Sequence, residues 1–138
     1  MNRRDLQELA RLRLVEAKLL LDNGCFDGAY YLSGYVAECA LKACIARQTR
    51  LHDFPPKPNL VRDMYTHNLR DLVLRAELRD DLSDTIAACE IFERHWNAVR
   101  DWSEESRYVR TGGPVAHGLY TAIVDRRHGV MRWLRQHW

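Results

Sequence analysis

Proline, glycine and lysine are scarce in this chain, with four Pro, seven Gly and three Lys among 138 residues. So few breakers leave little room for the turn-rich plan of a β-sandwich or barrel. No segment alternates apolar and polar residues long enough to read as a strand. Nor does any apolar run approach the roughly 20 residues that a membrane span needs, so no transmembrane segment is expected. An excess of one charge is lacking too: 21 Lys and Arg stand against 19 Asp and Glu, a net charge of +2. That is too small for a whole-surface polyanion binder, and any nucleic-acid contact must come from a local patch. Cysteine is limited to Cys25, Cys39, Cys44 and Cys89, three of them inside apolar helical patterns, and no secretory signal is evident. They read as reduced thiols of a cytoplasmic protein. The Cys39 to Cys44 spacing is not the Cys-x2-Cys of a zinc site.

Familiar catalytic signatures are missing as well. There is no Gly-x4-Gly-Lys-Ser/Thr phosphate loop, no Gly-x-Ser-x-Gly elbow, no His-Glu-x2-His and no EF-hand loop. A di-iron bundle needs Glu-x2-His on two helices, and the nearest approach is a single Asp125-x2-His128. No metal and no cofactor is expected.

Helical periodicity is what the chain has in quantity. Leu6, Leu9, Ala10, Ala17, Leu20 and Leu21 recur at helical spacing over residues 3–22, closed by Asn23-Gly24. A second helix opens at Phe26 or Asp27 and reaches about Gln48, with Ala29, Leu32, Val36, Ala40, Ala43 and Cys44 as a broad apolar surface. The stretch from His52 to Arg62 holds Phe54-Pro55-Pro56-Lys57-Pro58 and reads as a loop. Thr66 is the expected N-cap of a third helix over about 67–78. A fourth begins at Asp80 or Asp81 and carries Leu82, Ile86, Cys89, Phe92, Trp96 and Val99 to about Asp101. After an irregular stretch from Trp102 to Pro114, a fifth runs from about Val115 to Gln136. Five apolar stripes with no repeat or composition shift predict a single all-α domain over 1–138, a five-helix antiparallel up-and-down bundle.

One string stands out, Leu19-Leu20-Leu21-Asp22-Asn23-Gly24 followed by Ala29-Tyr30-Tyr31-Leu32-Ser33-Gly34-Tyr35-Val36-Ala37-Glu38-Cys39-Ala40-Leu41-Lys42-Ala43. It resembles the second-helix pattern A-x-Y-L-x-x-x-A/V-x-E-x-A-L-K-A of the HEPN family, with its L-L-x-x-G approach. His67-Asn68-Leu69-Arg70-Asp71-Leu72 is similar to that family's third-helix start, and Arg107-Tyr108 to the end of its fourth. The resemblance spans nearly the whole chain in the right order. It implies a helical homodimer working beside a minimal nucleotidyltransferase in a two-component toxin-antitoxin or defence module, in association with nucleotide or RNA. Tyr65 and Tyr108 are the tyrosines such a partner would reach for nucleotide attachment.

Catalytic members of the family are metal-independent endoribonucleases that use an Arg, four to six residues, then a His, assembled across the dimer. Arginine holds the scissile phosphate while histidine moves the proton. Two pairs fit that spacing here: Arg62 with His67, and Arg110 with His117. Gly112-Gly113-Pro114 separates the members of the second pair.

Plainer readings exist for each residue. Glu38 and Lys42 stand at i and i+4, as an intrahelical ion pair would, or contribute with Arg107 and Tyr108 to a nucleotide- or RNA-binding site. His67 also reads as a helix-start hydrogen-bonding residue. Arg107 and Tyr108 are expected to close the bundle through a salt bridge and a packed ring, with Arg107 within reach of a phosphate or of Glu38. Tyr30, Tyr31 and Tyr35 read as core or dimer packing. Arg126, Arg127, Arg132 and Arg135, with His128, His137, Trp133 and Trp138, form the one basic patch, a solvated face, a surface for an acidic partner protein, or a phosphate-binding face. A non-catalytic module that docks another helical protein through an apolar face is the third functional class.

Overall fold

The computed structural model describes residues 1–52 and 64–138. Within them the chain is helical throughout and has no strand. The first helix, α1 (Arg3–Asp22), begins in a capping box: the Asn2 side chain accepts from the Arg4 and Asp5 amides, and the Asn2 amide donates to Asp5. It ends on Gly24, whose φ of +73° lets the Gly24 and Cys25 amides turn back to the Leu21 and Leu20 carbonyls. The following helix, α2 (Phe26–His52), runs further than its apolar spacing suggested. The remainder of the expected proline-rich loop, Arg62 included, lies outside the described residues.

The third helix, α3 (Leu69–Arg75), is capped by Asn68 rather than Thr66. The Asn68 side chain accepts from the Arg70 and Asp71 amides, and the Thr66 hydroxyl accepts from the Asn68 amide one step earlier. Two helices expected to be continuous are each broken. The apolar spacing over Leu82 to Val99 carries through α4 (Arg79–Ala88) and α5 (Glu90–Arg100), but Cys89 between them is extended, with φ −150° and ψ 108°. Likewise α6 (Gly113–Val124) and α7 (Val130–Arg135) are separated at Asp125. There the Asp125 carboxylate accepts from the Arg127 and His128 amides. A Cβ on Gly129 would collide with the Asp125 and Ile123 backbone, so the turn admits no side chain at that position. A short 3-10 helix, Glu104–Tyr108, lies within the stretch expected to be irregular.

The long α2 is the central packing element. It lies against α1, α3, α6, α7 and the 3-10 helix, and from Val36 to Ile45 all but Lys42 of its residues are buried. Small side chains make this possible: Ala37, Cys39, Ala40, Ala43 and Cys44 let neighbouring backbones come close. At Gly34 the approach is closest, because the Trp102 indole lies on the bare Cα and a Cβ would enter its ring. Trp133 anchors the other side, its ring against Phe92 and Trp96 at 5.7 and 6.1 Å and its Nε1 donating to Asp81 at 2.6 Å.

Candidate functional site

Glu38 is a carboxylate buried on α2, only 1% exposed. A charge so placed requires partners, and it has two. Lys42 Nζ, one turn on, donates to Oε1 at 2.8 Å, and His67 Nδ1 meets the same oxygen at 2.9 Å. Residues 29 positions apart are thereby joined at a single atom. An ionised carboxylate only accepts, so Nδ1 is assigned the ring hydrogen and Nε2 is left as the basic nitrogen. The His67 side chain is 47% exposed and lines a cleft of about 460 Å³ with Arg70, Arg100, Trp102 and Ser103. The second oxygen, Glu38 Oε2, is buried without a hydrogen-bond partner. This is the arrangement of a proton-transfer histidine held by a carboxylate.

Arg110 and His117 gather elsewhere, at the first turn of α2. Arg110 Nε pairs with Asp27 Oδ2 at 3.0 Å, and the Thr111 amide donates to the other oxygen of Asp27. His117 lies on the neighbouring residue, its ring 6.0 Å from that of Phe26. Gly113 packs on the same Phe26 ring, where a Cβ would be tight at 3.1 Å. Gly112-Gly113-Pro114 therefore starts α6, with Gly112 as its N-cap. Arg110 precedes the helix and His117 stands within it, and both are open to solvent. Asp27, which holds this corner, reads in the sequence only as a residue that opens a helix, because an acidic side chain in a first turn is the ordinary complement of the helix dipole.

Arg107 and Tyr108 do not close the bundle. Tyr108 is 78% exposed, and the Arg107 guanidinium stacks 4.9 Å from its ring centre. Neither is joined to Glu38. Tyr65 is equally open. Tyr31 and Tyr35 are half-buried and stack on each other at 6.2 Å, with Trp102 beside Tyr31.

The carboxy-terminal patch is also rearranged. Trp133 and Trp138 are buried rather than interleaved with arginine at the surface. Arg11 and Arg135 stack over Trp138 at 5.0 and 6.0 Å, and the Trp138 carbonyl accepts from Arg3. All four cysteines are free thiols, with Cys39 and Cys44 buried and Cys25 exposed. Burial pushes the Cys39 thiol up to about 11 and the Cys44 thiol up to about 12. Among the described residues no group of three His, Cys, Asp or Glu side chains could hold a metal ion, and no helix is long and apolar enough to cross a membrane.

No protein-family model matches the chain, and no match is found among the curated proteins or the solved structures.

Proposed function

We propose that the chain is a HEPN-type helical module that associates with RNA or nucleotide and acts as a homodimer beside a nucleotidyltransferase partner. What supports this reading is the knot at Glu38. The family-like pattern of α2 contributes Glu38 and Lys42, the family-like start of α3 contributes His67, and the three meet at one carboxylate oxygen. Two separate pieces of the resemblance thus share one physical reason. Taking each broken pair, α4 with α5 and α6 with α7, as one rod gives the five-rod plan that the resemblance implies. Exposed Tyr108, flanked by Arg107 and Arg110, supplies the ring and guanidinium groups on which single-stranded bases and phosphates settle.

A second reading is favoured by the corner at Phe26 and Asp27, a metal-independent endoribonuclease in which Arg110 holds the phosphate and His117 moves the proton. One experiment addresses both. Labelled single-stranded RNA is incubated with the protein in EDTA at two salt concentrations, alongside His67→Ala, His117→Ala and Tyr108→Ala. Binding that weakens with salt and is reduced by Tyr108→Ala is expected for the module, whereas no binding at low salt overturns it. Cleavage abolished in His117→Ala alone makes the protein a ribonuclease with that histidine, and intact RNA in every lane removes the catalytic reading.

A further inference from the structure

The outer side of α1 carries apolar residues that the bundle does not use. Leu6, Ala10, Ala17 and Leu21 are buried against its neighbours. On the opposite side Leu12, Val15 and Leu19 are between 49 and 59% exposed. Spacings of three and four residues set these three in one row along the helix. A single exposed aliphatic side chain is ordinary, but a row of them is a surface built for contact. Helical spacing on one side is best matched by helical spacing on the other, so the geometry suits a second helix laid along the row.

Charges frame the row in a definite order. Glu8 continues it toward the start of α1, and Asp22 borders its far end. Arg4, Arg11 and Lys18, all exposed, follow at seven-residue intervals along one edge. Arg11 is steadied over the Trp138 ring, and Lys18 pairs with Asp22 where both are half in water, a contact that a ligand displaces at small cost. On the other edge the carboxylates are engaged, Asp5 in the capping box and Glu16 with Arg13. This order disfavours a second copy of the chain as the occupant. Laid antiparallel, with Leu12 against the copy's Leu19, Glu8 meets the copy's Asp22 and Arg11 faces the copy's Lys18. Laid parallel, Glu8 meets Glu8 and Asp22 meets Asp22. Either direction sets like charges against each other at both ends of the row.

We propose that the outer face of α1 docks an amphipathic helix of another protein. The occupant packs an aliphatic row on Leu12, Val15 and Leu19, sets a basic residue at each end of that row against Glu8 and Asp22, and runs acidic residues along the edge of Arg4 and Arg11. The homodimer of the reading above then forms through another face, and Glu38, His67, Tyr108 and Arg110 take no part here.

The test uses the full chain and two labelled synthetic helices that share one row of leucines. The first has Lys at both ends of the row and Glu along its flanks, and in the second these charges are exchanged. Fluorescence anisotropy at low salt is expected to show the first helix binding in the micromolar range and the second at least about tenfold more weakly. Leu12→Ser combined with Leu19→Ser should weaken the first helix by about tenfold or more. Arg4→Gln should weaken it by about threefold, an effect that fades with added salt. The replaced side chains are exposed, so thermal melting should match the parent. No binding of the first helix at about 100 µM, equal binding of the exchanged helix, or affinity unchanged in the folded double variant would each overturn the proposal. Sedimentation of the double variant covers the remaining occupant. An unchanged oligomeric state is expected, and a dimer lost with these leucines would give the face to a second copy and overturn the proposal.

Discussion

The first turn of α2 and its middle carry similar chemistry in opposite surroundings. At the first turn, Asp27 pairs with an Arg110 side chain that is 98% exposed, and His117 rests on one ring. In the middle, the buried Glu38 pairs with Lys42 and with a His67 that reaches the cleft, one turn after Trp102 has closed over Gly34. Water screens the first set, so its charges remain available to a ligand at small cost to the fold. The second set is part of the fold, because the buried Glu38 carboxylate and the largely buried Lys42 ammonium depend on each other for a partner. One helix therefore carries both the structural axis and a charged edge open to solvent.

The comparison breaks most sharply at the centre. Ala40→Asp places an unpaired carboxylate at a fully buried position of the core, and it should cost more than about 4 kcal/mol and leave little folded protein. Gly34→Ala is chemically milder but drives a methyl group into the Trp102 ring. The indole must leave its seat, and a loss of about 3 kcal/mol or more in urea unfolding is expected. If either variant melts like the parent, α2 is not the axis described.

Glu38→Ala comes next. The substitution removes the acceptor from Lys42, whose side chain is only 17% exposed, and leaves that ammonium unpaired. Loss of a buried partner typically costs about 3–5 kcal/mol. The lower end is expected here because His67 is half in water and relaxes outward. Glu38→Gln should recover part of the loss, since its amide oxygen still accepts one bond. Chemical-denaturation midpoints of the two variants measure the difference.

Much of this architecture is legible in the sequence, and the failures are instructive. The 3–4 spacing of Leu82, Ile86, Cys89, Phe92, Trp96 and Val99 reads as one helix because rotation about the axis continues smoothly through Cys89; only its extended backbone reveals the turn. Periodicity is blind to such a break. Asp125 and Gly129 did carry a local signal, a side chain that caps two amides and a residue with no Cβ, but it was outweighed by the apolar run around it. At the candidate site, the i to i+4 relation of Glu38 and Lys42 was visible, and so was the helix-start position of His67. Their meeting was not, because it depends on how α3 docks on α2. Arg107 and Tyr108 were expected to close the bundle through a salt bridge and a packed ring, yet the 3-10 helix leaves both outside.

High pH probes the buried centre through its thiols. Once unfolded, Cys39 and Cys44 ionise from an ordinary value of 9.0, whereas in the fold they keep their protons to about 11 and about 12. Between pH 9 and 11 the unfolded state therefore binds fewer protons, and stability falls as pH rises. Below pH 9 the contribution is whole. Each thiol lowers stability by about 1.4 kcal/mol per pH unit in that window. Tyr30 and Tyr35, pushed up mainly by burial, act in the same direction at higher pH. Urea unfolding at pH 8, 9 and 10 measures the slope, and Cys39→Ala with Cys44→Ala should flatten it.

The smallest effect on stability is expected at this open edge, and there it is most informative. Asp27→Asn removes the charge beside Arg110 while keeping an oxygen for the Thr111 amide. An ion pair this exposed contributes about 0–1 kcal/mol, so the melting temperature should move by only a few degrees. Arg110, however, is released from its carboxylate. If Arg110 contacts RNA phosphate, removing a negative charge about 3 Å away favours the phosphate by about 1 kcal/mol even in water, roughly fivefold in affinity at low salt. That gain should fade as salt rises. Tighter RNA binding with unchanged stability would mark the first turn of α2 as the nucleic-acid edge. Unchanged RNA binding would mean that Arg110 serves only to hold the start of α6 to α2.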